Sequence, residues 1–337
     1  MTTDKERDMP ATIDIHAHVV PADFPVAPTG CGHVWPCMRH HPDDQASVFL
    51  GEREFRRVDN RAWSVPRRVA DMDGQDVAIQ ALSPMPELLS YWIDARPALE
   101  LTRSVNGAIA AMVAEAPARF AGLGTVPLQD PDLAARELER MKADGFSGVE
   151  IGSNILGRSP GDAHFDPFFE TAERLGMAVF VHALHPTMTD RIVGPKVLAA
   201  FIGFPVDTGL AAASCITGGT LTKFPKLRLG FSHGGGMLAS ILPRLQRGWT
   251  IAPELQAAFA APTDTARLMF YDNIVFDPAT LRHLIAAFGE TQVFAASDYP
   301  FAAGQSHPGR PFEVLDLPPA TLELLKSGNA RRFLGLA

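Results

Sequence analysis

From Ala11 onward, short runs of consecutive apolar residues alternate with longer runs in which apolar residues recur at helical spacing. This alternation is typical of parallel β/α units, in which buried strands are separated by amphipathic helices. Eight candidate strands begin near Thr12, Val77, Phe120, Gly148, Ala178, Leu227, Asn273 and Gln292. Eight such units predict an α/β protein with a distorted (β/α)8 TIM barrel.

Helix boundaries are marked most clearly in the first half of the chain. One helix is predicted from Ala95 to Ala116, and a second from Pro131 to Ala143. Asp130 is a favourable N-cap for the second helix and Gly145 a favourable stop. The stretch from Thr189 to Lys223 is long enough for more than one helix.

Residues 20–63 interrupt this rhythm. They are rich in Pro, Gly, His and Arg and contain only short β-like pieces, such as Ser47 to Leu50. Loops that follow barrel strands lie on the catalytic face, so this insertion after the first strand is predicted to form a lid over the site. We expect residues 1–337 to form a single barrel domain that carries this insertion.

Composition narrows the function class. A chain of 337 residues with 46% hydrophobic and 20% charged residues is typical of a globular protein, which excludes a disordered one. The formal net charge of −8 gives no general attraction to nucleic acid or to an anionic membrane. An acidic substrate would therefore need cations placed locally.

The compartment is predicted from three cysteines, a polar start and the apolar runs. Cys31, Cys37 and Cys215 form no secretory disulfide pattern, and Met1 to Arg7 lacks the apolar core of a signal peptide. No run in the sequence suggests a membrane span. These features predict a cytoplasmic protein with reduced thiols.

Candidate chemistry lies at the strand ends. His16 and His18 are two apart at the end of the first strand, so their side chains share a face. A His-x-His pair alone is a weak signal, but His182 and Asp298 also end predicted strands. Together these four residues supply the ligands expected of zinc or a similar divalent ion. The alternative is a structural role, with His182 a strand-end histidine and Asp298 a helix N-cap.

His233 also follows a strand and precedes three glycines, Gly234 to Gly236. Glycines permit close approach of the backbone, which suits a histidine that faces a substrate. A neutral imidazole beside a divalent ion can accept and return a proton, so His233 is a candidate catalytic acid/base. The alternative is that His233 is a further metal ligand.

Several motifs together make a resemblance specific. The sequence resembles the metal-dependent amidohydrolase superfamily, in the branch typified by 2-amino-3-carboxymuconate 6-semialdehyde decarboxylase. The motifs that carry the resemblance span nearly the whole chain: Asp14 to His18, Phe55 to Val58, Ala70 to Asp73, Val126 to Asp130, His182, Phe231 to Gly236, Ala296 to Phe301 and Ser327 to Ala330.

The resemblance implies one divalent metal ion, with zinc expected and manganese as the alternative. The implied ligands are His16, His18, His182 and Asp298; His233 is the implied acid/base, and Asp298 is expected to help move the proton while it stays a ligand. Arg56 and Arg244 correspond to the two family arginines that hold substrate carboxylates. In the family the second arginine reaches into the neighbouring subunit's site, which implies a homodimer.

The chemistry of the two arginines also suggests a role without reference to the family. A guanidinium can bind a carboxylate with two charge-assisted hydrogen bonds. Either residue taken alone would more often be a solvated surface charge, and this alternative stays open.

The chain departs from the family pattern at two places. After the strand-5 histidine it has Ala183 to Thr187 and no tryptophan, so the pocket wall differs. Strand 4 carries Glu150 where many superfamily hydrolases have a bridging lysine, which favours one metal; Glu150 could contact the site or pair with a cation. The segment from Cys31 to His41 has metal-type residues, but their spacing does not fit a standard zinc finger and a lid role is favoured.

The sequence thus predicts a metal-dependent carboxy-lyase. Its expected reaction is nonhydrolytic decarboxylation of a small unsaturated or aromatic acid, in aromatic compound degradation. Hydrolysis or hydration is the alternative, because metal and histidine also suit attack on a carbonyl. A binding protein with a purely structural metal is a third possibility.

Overall fold

The computed structural model describes residues 11–336. Its main sheet has eight parallel strands. Strands are numbered in chain order, and those of the main sheet are β1 Thr12–Val19, β5 Val77–Pro84, β6 Phe120–Gly124, β7 Gly148–Gly152, β8 Ala178–His182, β9 Arg228–Phe231, β10 Phe270–Asp272 and β11 Val293–Phe294. Each strand lies beside the next one in this series, which is the order of a barrel.

The barrel closes between its last and first strands. The Ile15 amide donates to the Ala295 carbonyl at 3.1 Å, and Ala17 forms a parallel bridge with Tyr299. The predicted (β/α)8 barrel is therefore confirmed. One predicted strand start is wrong, since β10 begins at Phe270 rather than near Asn273. The strand is formed by two buried aromatic residues and Asp272, whereas the side-chain amide of Asn273 forms hydrogen bonds with Pro308 and Gln305 in the following loops.

Helices separate the strands in sequence. The α-helices among the described residues are α1 Val65–Gly74, α2 Ala95–Glu115, α3 Pro131–Ala143, α4 Asp166–Leu175, α5 Phe204–Thr217, α6 Thr220–Lys223, α7 Leu238–Ile251, α8 Pro253–Ala258, α9 Pro262–Ala266, α10 Pro278–Phe288, α11 Arg310–Glu313, α12 Pro319–Glu323 and α13 Asn329–Leu334. The predicted second helix has the expected N-cap, since Asp130 accepts a hydrogen bond from the Leu133 amide at 3.0 Å.

One stretch of the described chain is long and apolar enough to cross a membrane by length and composition alone. A π-helical turn, Ala199–Gly203, runs straight into α5, so Ala199–Thr217 makes an apolar stretch of 19 residues. Core helices of soluble proteins pass the same test, and 44% of this stretch is buried inside the protein. Asp207 within it accepts a hydrogen bond from Ser153, at the barrel end of β7.

Between β1 and α1 lies a small antiparallel sheet, made of β2 Pro36–His40, β3 Gln45–Leu50 and β4 Arg53–Asp59. We call this the insertion sheet. It lies within the 20–63 segment that the sequence singled out, and it emerges from the carboxyl end of β1. Most of its residues are half-buried or exposed, in contrast to β1, whose eight residues are all buried.

Buried aromatic residues hold the barrel strands together. Ile15, Phe180, Phe270 and Phe294 from four strands pack with Phe333 of α13 in one cluster. Close packing of this kind leaves little freedom to the strand ends. Side chains at those ends are therefore held in fixed positions.

Candidate active site

The two histidines of β1 face each other at the carboxyl end of the barrel. His16 and His18 are both fully buried, and their Nε2 atoms lie 3.0 Å apart. Their rings are nearly perpendicular, with centroids separated by 4.9 Å. The strand pattern thus places both imidazoles against one point.

Two further predicted residues complete the group. His182 ends β8, and Asp298 follows β11 with its Oδ1 atom 3.0 Å from Nε2 of His18 and 3.4 Å from Nε2 of His16. One ligand atom from each of these four residues lies within 4.8 Å of the others. We call this set the metal-binding cluster. It is the one group of three or more such side chains found in residues 11–336.

The outer ring nitrogens show that the cluster fits a cation. Nδ1 of His16 lies 2.8 Å from Oδ2 of Asp272, Nδ1 of His18 lies 2.9 Å from the Pro84 carbonyl, and Nδ1 of His182 lies 2.8 Å from the Ala183 carbonyl. Because these oxygens can only accept, each Nδ1 carries the proton and each Nε2 keeps its lone pair. Nε2 of His182 is buried without a hydrogen-bond partner among the described residues. A divalent ion bound there would satisfy these lone pairs.

At His182 and Asp298 the surrounding charges and burial favour the same charge states. Burial lowers the pKa of His182 well below its usual value, so its ring is neutral at pH 7. Burial would raise the pKa of Asp298, but the neighbouring imidazoles of His18, His16 and His233 bring it below the ordinary value. Neutral imidazole and ionised carboxylate are the forms that bind metals.

His233 lies beside this cluster without belonging to it. Its ring centroid is 5.2 Å from that of His182 and 5.5 Å from that of His16. Burial lowers the pKa of His233, which keeps the ring neutral. The backbone that presents the ring is unusual, since φ is 52° at His233 and 64° at Gly234. A side chain at Gly234 would collide with Val275, so glycine is required there.

Asp272 is a site residue that sequence reasoning missed. It ends β10 and is fully buried; its Oδ2 atom holds His16, while Oδ1 accepts the Gly234 amide at 2.7 Å. Burial would raise the pKa of Asp272, but the hydrogen bond from His16 lowers it below its ordinary value. One carboxylate therefore fixes both a metal-binding histidine and the loop of His233. The signal was a carboxylate at a strand end, hidden because the strand was placed too late.

Asp14 supports the opposite side of the cluster. It is fully buried, with Oδ2 accepting from Ser297 Oγ at 2.6 Å and from Gln80 Nε2 at 2.8 Å. The Arg68 guanidinium donates to Gln80 and to the His18 carbonyl. These bonds tie β1 to β5 and to the loop of Asp298, which positions both strand ends.

Arg56 approaches the cluster from the insertion sheet. Its guanidinium carbon lies 4.5 Å from the centroid of the Phe301 ring, and Phe301 stacks on His18 at 5.1 Å. Nη2 of Arg56 lies 3.5 Å from Oε1 of Glu87, while the buried Nε atom has no partner within the described part of the chain. Arg56 thus lies close to the cluster, and its Nε–H group is a hydrogen-bond donor without a partner among the described residues.

Arg244, the other predicted arginine, is not brought to this site within one chain. It lies on α7 with an exposed side chain. No hydrogen bond or ion pair to another described residue holds it. Its predicted place in a neighbouring subunit's site stays a prediction.

Glu150 lies on β7 at the inner side of the cluster. Its carboxylate is 3.9 Å from Nδ1 of His18, and both of its oxygens are buried with no hydrogen-bond partner in residues 11–336. Burial raises its pKa to about 7. Glu150 therefore lies beside the cluster in surroundings that oppose its ionisation.

The segment from Cys31 to His41 is arranged differently. Its cysteines are free, His40 lies 2.8 Å from the Ala22 carbonyl and His41 lies 2.7 Å from Ser47. His185, whose role the sequence left open, is exposed beyond β8 with its ring 6.0 Å from that of Trp92. Neither region adds a ligand to the metal-binding cluster.

Comparison with known proteins places this site in a family. The Amidohydrolase family model matches residues 13–336. A 2-amino-3-carboxymuconate-6-semialdehyde decarboxylase from Dictyostelium discoideum is 34% identical, over 96% of this chain and 91% of that protein. The crystal structure of 5-carboxyvanillate decarboxylase from Sphingomonas paucimobilis is similar, with a TM-score of 0.80 and 26% identity over 97% of this chain and 99% of that one.

A further structure bears on the metal. The 5-carboxyvanillate decarboxylase from Novosphingobium aromaticivorans, solved with manganese and 4-hydroxy-3-methoxy-5-nitrobenzoic acid, has a TM-score of 0.73 and 27% identity over 82% of each chain. A buried three-histidine, one-aspartate cluster and a neighbour that holds manganese support a divalent metal, without choosing the ion. The family model, the barrel and the relatives agree, and this chain belongs to the amidohydrolase family, in the branch whose named relatives here are decarboxylases.

Proposed function

We propose that this protein is a metal-dependent decarboxylase of a small aromatic or unsaturated carboxylic acid, of the kind met in aromatic compound degradation. The observation that carries the proposal is the metal-binding cluster with His233 beside it and Arg56 within reach. The named relatives, which are carboxy-lyases, support the same class.

Decarboxylation requires a proton donor and a group that holds the substrate in place. In decarboxylation, the carbon that carries the carboxylate gains a proton through an electron pair of the conjugated system, and the carbon–carbon bond then breaks, its pair re-forming the double bond as carbon dioxide leaves. A bound divalent ion would supply a Lewis acid that fixes the substrate and attracts its negative charge. His233 is the group placed to hold and deliver the proton, since it lies next to the cluster and is not one of its four members.

The other residues position the reaction. Arg56 would bind a substrate carboxylate through its fork of donors, which sets the acid against the cluster. Asp298 would assist the movement of the proton while it stays in the cluster. Asp272 would hold the His16 ring and the His233 loop in fixed positions relative to each other.

Carbon dioxide release from a panel of hydroxybenzoates and aminocarboxymuconate semialdehydes tests the proposal, with zinc- and manganese-loaded protein. We expect a product that has lost the mass of carbon dioxide. His233→Ala should abolish its formation, whereas His283→Ala, which changes an exposed histidine of α10, should leave it unchanged. A product that has instead gained water would identify a hydrolase or hydratase. The same assay compares the activity of zinc-loaded and manganese-loaded protein, and we expect zinc to be the native ion.

The active unit is proposed to be a homodimer in which Arg244 serves the partner's site. Support comes from exposed apolar side chains after β8: Val193, Val197, Phe201, Ile202 and Leu210 are between 45% and 94% exposed. Mixing inactive Arg244→Ala and His233→Ala chains tests it, because a shared site would restore activity in mixed dimers. If the mixture stays inactive after subunit exchange, Arg244 does not act across an interface.

Residues 20–63 are proposed to act as the lid of this site within a single domain spanning residues 1–337, since they carry Arg56 toward the cluster. We expect the protein in the cytoplasm, and no partner among nucleic acids or membranes.

A further inference from the structure

Glu87 stands at the same end of the barrel as the metal-binding cluster. It lies in a 3-10 helix, Pro86–Leu89, which follows β5 directly. β5 pairs with β1, and the residue beside His18 in that pairing is Ser83. Glu87 therefore sits four residues beyond the level of the cluster, on the substrate side of the barrel.

Glu87 and Arg56 form a pair that is only half satisfied. The Nη2 to Oε1 distance of 3.5 Å is longer than the 2.7–2.9 Å usual for a charge-assisted hydrogen bond. The Glu87 side chain is 11% exposed, yet its Oε2 atom is buried with no hydrogen-bond partner among the described residues. Nε of Arg56 is in the same condition.

A buried carboxylate oxygen and a buried guanidinium N–H that both lack partners are costly. A ligand that brings a carboxylate to Arg56 and a hydrogen-bond donor to Glu87 would satisfy both atoms at once. A carboxylate without an adjacent donor would satisfy Arg56 alone and would meet the negative charge of Glu87. The pair is thus complementary to an acid with a neighbouring O–H or N–H group.

We infer that Glu87 is a specificity-determining residue, whose free carboxylate oxygen accepts a hydrogen bond from a hydroxyl or amino group next to the substrate carboxylate that Arg56 holds. This inference rests on the proposed function. A site built around such an acceptor rejects analogues that lack the donor, because the acceptor is then left unpaired.

Two acids that differ in the donors beside the carboxylate test the inference. In 2,6-dihydroxybenzoate both positions beside the carboxylate carry hydroxyl groups, whereas 2,6-dimethylbenzoate carries methyl groups there and has no donor in either orientation of the ring. The Kd and kcat/KM for both acids are measured with metal-loaded wild-type, Glu87→Leu and Glu87→Gln proteins. Glu100→Gln, which changes an exposed residue of α2, is the matched control.

We expect wild-type protein to prefer the dihydroxy acid and Glu87→Leu to reduce that preference by about tenfold or more, the effect of one hydrogen bond to a charged group. Glu87→Gln keeps a neutral acceptor and should lie between, and Glu100→Gln should match wild type. Because the readout is a ratio between two ligands of one variant, a general loss of folded protein cannot imitate it, and metal content is measured for each variant to exclude an effect of metal loss.

Other outcomes overturn the inference or the proposed function separately. If Glu87→Leu binds both acids more tightly, and by the same factor, Glu87 merely neutralises Arg56 and the inference fails. If turnover occurs and the ratio is unchanged, the inference fails while the decarboxylase proposal stands. If neither acid is turned over but the Kd ratio changes as expected, the proposed function fails and the inference stands. If neither acid binds, both fail.

Discussion

The metal-binding cluster and the insertion sheet are built on opposite principles. Each histidine of the cluster is held by a short hydrogen bond on its outer nitrogen and is almost fully buried. Arg56, on the insertion sheet, is 36% exposed at its side chain and has one long contact to Glu87. The barrel therefore fixes groups that must not move, while the insertion presents groups that can adjust to a ligand. Chemistry common to a family suits the first region, and substrate choice suits the second.

The largest expected effect concerns the barrel. His233→Asn should lower kcat by about 10²- to 10⁴-fold, because the proton carrier is lost. Metal content measured by elemental analysis should equal that of wild type, since His233 lies outside the cluster. Loss of metal together with activity would show that His233 is a ligand, which the sequence kept as an alternative.

A second substitution tests how the barrel holds its ligand. In Asp272→Asn an amide N–H can face Nδ1 of His16 and move the ring proton to Nε2, where it blocks metal binding. Metal affinity, measured by competition with a chelator, should fall roughly 10- to 100-fold. Asp277→Asn is the control, because Asp277 is an exposed N-cap of α10. Unchanged affinity in Asp272→Asn would mean that the orientation of His16 does not depend on this carboxylate.

The insertion sheet should respond in a different way. Arg56→Lys keeps the charge but loses the fork, so kcat/KM should fall by about tenfold or more with metal content unchanged. Arg57→Lys is the matched control, since neighbouring strand residues point to opposite faces and Arg57 is exposed. Equal effects of the two substitutions would remove the special role of Arg56 and the contrast between the regions.

The smallest effect concerns pH and the end of the insertion sheet. Hydrogen bonds from Arg61 hold the pKa of Asp59 below its ordinary value. The unfolded chain therefore takes up the proton first as pH falls, so the stability from this pair is present above about pH 3.9 and is lost as pH falls through the folded pKa.

The measurement compares the unfolding free energy of metal-free wild-type and Asp59→Asn proteins across that range. The difference should be below about 1 kcal/mol, because the pair is more than a third exposed, and it should vanish in acid. Asp190→Asn, at an exposed position, should show no such pH dependence. A difference that grows in acid would reverse the sign and contradict the assigned cause.

Sequence reasoning succeeded where structure is local. The helix at Pro131 was predicted from its cap and stop, and the cap hydrogen bond from Asp130 is present. It failed at Asn273, where a short strand of three residues carries too little periodicity to be located. That error of three residues also hid Asp272, whose importance depends on its end-of-strand position.

By itself, the sequence determined the order of strands and helices and the identities of the five residues at the strand ends: His16, His18, His182, His233 and Asp298. It could do so because hydrophobic periodicity is local, and because the carboxyl ends of parallel barrel strands always meet at one face. Only the tertiary structure decided that Asp272 supports His16 across 256 positions of sequence, that Glu87 lies beside Arg56, and that Arg244 is exposed. Such pairings depend on distances between side chains in space, and residues far apart in sequence carry no local signal of them.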